Sequence, residues 1–497
     1  MHPLAKLDHA YAWHPFTQMR DWLRGEPIVI AEGDGAVLRD VHGREYLDAN
    51  ASIWTNLHGH RHPKINAAIQ RQLKKIAHSS ALGLANEPAS RLAARLVQAA
   101  NEIGDLRFAA CGSGDEAARK TGIGNPKLEK VFFSDDGSTA LEVALKLAYE
   151  FTRRTRGAKS APRFLSLDGA YHGDTVGAVS LGHIDLFHAA YGGVLFKTDK
   201  VMSPYCYRCP FNRAQPERND ARNYRRCHWE CLGKLEQKFS ARQRTGNPFA
   251  AFVFEPLMQG AAGMIPQPAG WLARAAEIAR GHGALLVADE VMTGFSRTGI
   301  SKAEGGRPKA EILFACHYES VQPDFLCLAK GLTGGYLPMA ATLTTQRVFD
   351  AFLGEYHEFK TFFHGHSFTG NQLGAAAALA SLDLLQSAAS IRTRQKLEAL
   401  LRAELQSLWA LPNVGDIRQA GLVAGIELVK NWRTREPFAP RERAGIRVCA
   451  AMARRGVLTR PVGNVIVLMP PYCTTPPQLQ RMVSALRAAV AEVFPQA

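Results

Sequence analysis

The chain predicts an α/β fold: a large domain with a mostly parallel sheet covered by helices, followed by a smaller α+β domain. Three observations predict it. Short apolar runs alternate with helical stretches from about residue 90 to 345. Several of those runs end in polar or glycine-rich turns, where sheets of this kind bind ligands. Beyond Gly370 the pattern changes to two long helices and then strand-like pieces.

Residues 1–75 read as an N-terminal segment that joins the smaller domain. Glu32-Gly33-Asp34-Gly35 and Asp40-Val41-His42-Gly43 are turn signals around the short strand Ala36-Val37-Leu38. A helix is expected from Pro63 to about Ile76, with Ile65, Ile69, Leu73 and Ile76 on one face. Residues 76–370 read as the large domain. Helices are expected near 90–100, 138–153 and 271–282, and strands at 131–133, 164–167, 251–254, 284–288 and 325–329. Residues 371–497 read as the small domain, with helices to about 388 and over 391–410, then strands around 414–430 and 456–469. Two stretches look like insertions, 111–126 and 203–231.

Composition narrows the function classes. Hydrophobic residues make up 46% and charged residues 21%, as in ordinary globular proteins. No apolar run reaches the roughly 18 residues of a membrane span. The start of the chain lacks the apolar core of a signal peptide, so a cytoplasmic location without membrane contact is expected. The 60 basic against 45 acidic residues give a formal charge of +15. Apart from a local cluster at Arg222, Arg225 and Arg226 the arginines are scattered, unlike the basic stripe of a nucleic-acid binder. A basic surface that steers anionic substrates is the expectation, with no nucleic-acid partner.

Chemistry enters at two strand ends. The run Pro323–Ala329 delivers Lys330 into the glycine-rich turn Gly331-Leu332-Thr333-Gly334-Gly335. Forty-one positions earlier, Gly283–Ala288 ends in Asp289-Glu290. A lysine that forms a Schiff base with pyridoxal phosphate needs an aspartate against the pyridine nitrogen, so that the ring can take up a carbanion's electrons. Ser134-Asp135-Asp136-Gly137-Ser138-Thr139 lies between a strand and a helix start, whose free N–H groups suit a phosphate; a plain helix cap is the alternative. Tyr171 follows another strand and could stack on a cofactor ring or be an ordinary buried tyrosine.

With these residues assembled, the chain resembles the class III aminotransferases of fold type I, which use pyridoxal phosphate. The matching stretches are Ser134–Lys146, Tyr171–Thr175, Glu255–Met264, Asp289–Gly299, Leu328–Pro338 and His364–Asn371. Within that class it is similar to the 8-amino-7-oxononanoate aminotransferases of biotin biosynthesis. That likeness is carried by Trp13–Met19, Ile53-Trp54 with His58-Gly59-His60, and Thr459–Gly463 running on to Leu468–Tyr472.

The resemblance implies roles. Lys330 would hold the cofactor and move the proton, Asp289 would pair with the ring nitrogen, and Tyr171 would lie on the ring face. Gly137 and Ser138 would bind phosphate, with Ser367 reaching over from the partner subunit of a homodimer. Glu255 would lie near the ring. Trp54, Phe16, Gly365, Arg460 and Arg297 match substrate-binding positions, Arg297 having a structural ion pair as its alternative. The implied reaction takes 8-amino-7-oxononanoate to 7,8-diaminononanoate, both small molecules. The amino donor is S-adenosylmethionine or lysine: Phe16 stands where the first branch usually has tyrosine. Many relatives have proline and threonine where this chain has His366-Ser367. The rival readings are another class III aminotransferase acting on an ω-amino acid or diamine, and a non-catalytic basic binding protein on the same fold.

One motif falls outside this scheme. Cys206-x2-Cys209-x17-Cys227-x3-Cys231 has spacing compatible with a structural zinc site; reduced thiols in an insertion are the alternative.

Overall fold

The computed structural model of the chain describes residues 1–102, 126–157, 161–299 and 312–495. The expected insertion at 111–126 lies outside these, apart from Pro126.

A seven-stranded sheet forms the centre. From edge to edge it runs Leu128–Ser134, Ala340–Thr345, Phe325–Leu328, Leu285–Asp289, Phe249–Phe254, Arg163–Leu167 and Asp199–Val201. The last five are mutually parallel. Ala340–Thr345 runs antiparallel to both of its neighbours.

Alternate residues of these strands feed two cores, which is why the strands read as continuous apolar runs. Leu165, Phe252, Leu286 and Leu326 pack on one face with the helices Glu87–Asn101, Trp271–Gly281 and Gln372–Leu385. Phe164, Val253, Val287 and Phe325 pack on the other with the helix Gly137–Arg156. Truncating one such side chain, as in Leu286→Ala, costs about 2–5 kcal/mol.

Among the described residues there are three smaller sheets. The N-terminal strands Ile30–Asp34, Val37–Asp40 and Glu45–Asp48 form a meander, and the third pairs in parallel with Val457–Leu458. Near the C-terminus, Val414–Ala420, Val423–Asn431, Val465–Leu468 and Pro461–Val462 form an antiparallel sheet, with Glu436–Pro437 also paired to Val423–Asn431. Met258–Gln259 and Ile265–Pro266 pair as a short hairpin. Among the described residues no single helix is long and apolar enough to cross a membrane. The bent pair Gln372–Leu385 and Ala388–Ala410 meets that test only in combination. Its residues Ala375, Ala378, Leu382 and Leu385 are buried against the sheet core.

Candidate active site

Four neighbouring strands end at one cavity. Asp289 closes the strand Leu285–Asp289 and stands in register with Cys327, three residues before Lys330. On the other side Ala288 pairs with Phe254, which places Glu255 beside Asp289. The next strand, Arg163–Leu167, leads into Tyr171 and His172. The resulting cavity of about 240 Å³ is lined by Lys330, Asp289, Glu255, Tyr171, His172 and Trp54, with Gly137 and Ser138 at one end.

That end is the start of the 20-residue helix Gly137–Arg156. Asp136 caps it by accepting from the Thr139 N–H at 2.9 Å. The first backbone N–H groups of a helix have no partner within it and attract an anion. Two glycines keep the end open. A Cβ on Gly137 would lie 2.7 Å from Val291 Cγ1. A Cβ on Gly173, whose φ is +122°, would fall 1.9 Å from Ser138 Oγ.

Lys330 carries the reactive amine. Burial lowers its pKa below the ordinary lysine value, against the opposing pull of the Asp289 and Glu255 carboxylates. Its Nζ lies 5.3 Å from the centre of the Trp54 ring, and among the described residues it has no hydrogen-bonded partner. Asp289 has both oxygens engaged: Oδ1 accepts from the Val291 N–H at 3.0 Å, and Oδ2 lies 2.7 Å from His172 Nδ1. Glu255 accepts from the backbone N–H groups of Tyr171 (3.3 Å) and Gly260 (2.8 Å). Burial still pushes its carboxyl up to about 7. The Tyr171 hydroxyl donates to Asp174 at 2.7 Å, and burial followed by that carboxylate raises its pKa.

Trp54 is held by a strained segment. Ala51, Ser52 and Trp54 have φ of 45°, 63° and 68°, left-handed values that cost about 1–3 kcal/mol each in a non-glycine residue. The Asp48 carboxylate compensates by accepting from the Ser52 N–H and lying 3.0 Å from His60 Nε2. The indole N–H donates to Asn50 Oδ1 at 2.9 Å, which fixes the ring against the cavity.

The remaining expected residues fall elsewhere. Phe16 is exposed, with its ring 6.5 Å from Tyr171 and 5.2 Å from Phe187. Arg460 is exposed before Pro461–Val462 and does not line the cavity. Gly365 and Ser367 lie on an exposed loop, where the Ser367 carbonyl sits 2.8 Å from His78 Nε2. Arg297 does not line the cavity either. It is fully buried, it donates to the carbonyls of Pro470 and Asn56 at 2.9 Å each, and it lies over the Tyr472 ring. With both terminal nitrogens on backbone carbonyls and the side chain buried away from the cavity, Arg297 is a clamp on the backbone, where the sequence suggested a substrate-binding residue with a structural ion pair as the alternative. Sequence reasoning missed His172, Ala261 and Met292 as cavity residues. The placement of His172 directly after Tyr171 was the available signal.

The four clustered cysteines line a gap of only about 10 Å³, together with Arg225 and Trp229. Among the described residues no group of three or more His, Cys, Asp or Glu side chains could hold a metal ion. The Cys227 sulfur accepts from Arg225 Nη1 at 3.1 Å, and burial pushes the Cys206 and Cys231 thiols up to about 12 and 11. The zinc expectation therefore finds no support. The segment 203–231 is pinned in another way. Arg208 donates to Glu427 at 2.7 Å, Arg222 to the Gln419 carbonyl at 2.8 Å, and Arg218 to the carbonyls of Val414 and Leu411.

Lys330, Asp289, Tyr171 and the start of the helix Gly137–Arg156 thus share one cavity, and similarity to known proteins gives the family. The family profile "Aminotransferase class-III" matches residues 21–490. The chain belongs to the class-III aminotransferases, and its cofactor is pyridoxal 5'-phosphate. It is 46% identical over 491 residues to the adenosylmethionine-8-amino-7-oxononanoate aminotransferase of Nitratidesulfovibrio vulgaris, covering 99% of this chain and 82% of that protein. It is 45% identical to the enzyme of the same name from Geobacter sulfurreducens, covering 98% and 97%. The crystal structure of the Methanocaldococcus jannaschii enzyme of that name has a TM-score of 0.83 at 37% identity, covering 98% of each chain. A pyridoxal-phosphate-bound amine transaminase from an uncultivated Pseudomonas species has a TM-score of 0.82 at 33% identity, covering 97% and 98%.

Proposed function

We propose that this chain transfers an amino group to carbon 7 of 8-amino-7-oxononanoate, giving 7,8-diaminononanoate in biotin biosynthesis, with S-adenosylmethionine as donor. The observation that carries the reading is the convergence of Lys330, Asp289, Tyr171 and the start of the helix Gly137–Arg156 on one cavity. The names of the full-length relatives support the substrate and favour this donor over lysine.

The cavity fits the cofactor. Gly137, Ser138 and the helix start would hold its phosphate, Asp289 its ring nitrogen and Tyr171 its ring face. When bound, pyridoxal phosphate supplies a ring that accepts the electrons released as the substrate's C–H bond breaks. Lys330 Nζ, with its lowered pKa, is the group that takes that proton and returns it on the other half of the cycle. Trp54 offers an apolar wall to the long acyl chain. Arg460 would meet the substrate carboxylate with its two-pronged guanidinium. Phe16 lies against Tyr171 and presents no hydroxyl.

The unit of function is a homodimer in the cytoplasm. Exposed Tyr356, Phe359, Phe363 and Phe368 form the kind of apolar surface that a monomer seldom leaves open. Ser367 and Gly365 sit in that same loop and would complete the partner's site. Phe359 and Phe363 also line a separate cavity of about 980 Å³, which contains none of the expected site residues.

The test is a pair of half-reactions followed by absorbance. The cofactor-loaded protein is mixed separately with S-adenosylmethionine and with lysine. Loss of the visible band with the first, and its return with 8-amino-7-oxononanoate, is the expected result. Loss with lysine alone would change the donor. A response only to simple amines or ω-amino acids would replace the reading with the rival aminotransferase.

A further inference from the structure

We infer that His172 is a positioning residue that holds the Asp289 carboxylate in place, turned toward the cavity. Its side chain is wholly buried, and Nδ1 lies 2.7 Å from Asp289 Oδ2. The other ring nitrogen, Nε2, is buried without a hydrogen-bond partner. A hydrogen on Nε2 would find no acceptor there, whereas one on Nδ1 meets the Asp289 carboxylate. Nδ1–H therefore donates to Oδ2, while the Val291 N–H donates to Oδ1.

Two fixed donors on opposite oxygens set the plane of the carboxylate. Glu255 lies in the same cavity, also holds two N–H donors, and is still pushed up to about 7 by burial. The other titratable groups facing His172 are His183 and His188, whose pKa values burial lowers, so both are neutral neighbours near pH 7. Removing the imidazole donor would leave Asp289 with one backbone donor beside Glu255. Its ability to keep a ring nitrogen protonated would then weaken. The inference rests on the cofactor reading above, and it adds a residue that the reading does not use.

The test compares His172→Leu and His172→Asn with the full-length wild-type protein. Asn can present an amide N–H where Nδ1–H stands; Leu cannot. Two quantities are read: the dissociation constant for pyridoxal phosphate, by titration of the cofactor-free protein, and the pH midpoint of the visible absorbance of the loaded protein. His172→Leu is expected to weaken cofactor binding about 10- to 100-fold, the range for losing a buried hydrogen bond to a charged group, and to move the midpoint. His172→Asn is expected to stay within about threefold of wild type with the midpoint unchanged. Wild-type affinity and midpoint in the Leu variant overturn the inference. If the Leu variant does not fold, the Asn variant decides: a tenfold loss or a moved midpoint in a folded Asn protein overturns it. Failure of the wild type itself to bind the cofactor would sink the functional reading instead and is seen in the same titration.

Discussion

The carboxylates beside Lys330 and those beside Arg418 are all buried, yet they end in opposite conditions. Arg418 lies in the sheet near the C-terminus and spends its donors on protein. Nη1 donates to the Tyr205 hydroxyl at 2.6 Å and Nη2 to Glu427, which also accepts from Tyr205 and Arg208. Asp416 stands 3.7 Å away, its carboxyl pushed up to about 7 by burial. Charge there is met by charge, and the result ties the segment 203–231 to the sheet. Around Lys330 the groups face a cavity of about 240 Å³, and the amine itself is left without a hydrogen-bonded partner among the described residues. Buried charge alone is thus a poor marker of function. Charge held in place and aimed at a void is a better one.

Four experiments would break or sharpen that contrast. Lys330→Ala should lower turnover by about 10⁴-fold or more, since it removes both the covalent anchor and the proton carrier. The stability of the cofactor-free protein should hardly change, as measured by product assay and denaturant unfolding. Arg418→Met should show the reverse pattern. It strips Asp416 of its cation, leaves Glu427 with Arg208 and Tyr205 alone, and should cost about 3–5 kcal/mol in denaturant unfolding. The kcat of the folded fraction should stay within about twofold of wild type.

Glu255→Gln sharpens the contrast through pH. In the wild type the folded-state pKa is raised from 4.5 to about 7. Below the lower value the group is neutral in both states and contributes nothing. As pH rises, the unfolded chain ionises first and the folded state loses stability, until the loss levels off above about 7. Unfolding of the cofactor-free proteins should therefore show the variant gaining on the wild type between pH 5 and 8, by on the order of 3 kcal/mol. A constant gap across that range would mean that Glu255 is ordinarily ionised. The smallest effect is expected for Arg460→Ala. It should raise the KM for the keto acid about tenfold while kcat stays within about twofold, the pattern of a lost binding contact.

Much of the site was legible because its residues occupy one repeated local setting. Lys330, Asp289, Tyr171 and Ser138 each follow a short apolar strand and stand in or beside a turn, so a strand-end pattern finds them. The strands themselves were visible as apolar runs, apart from the three-residue edge strand Asp199–Val201 and Ala340–Thr345, whose antiparallel course no local pattern announces. What stayed hidden depends on distant partners. Arg297 looks like a pocket arginine until the carbonyls of Asn56 and Pro470, 241 and 173 positions away, claim its donors. His172 acquires its meaning from Asp289, 117 positions later. The four cysteines have ligand-like spacing along the chain, but spacing does not state where the sulfurs point, and Arg225 takes up one of them. The expected domain boundaries at 75 and 370 remain a proposal about organisation.

The most direct measurement of the central claim is to load the protein with pyridoxal phosphate, reduce it with borohydride, and map the modified peptide by mass spectrometry. The account predicts one phosphopyridoxyl group per chain, on Lys330, with none recovered from Lys330→Ala. A label on a different lysine, or no label in a protein that still transfers amino groups, would contradict it.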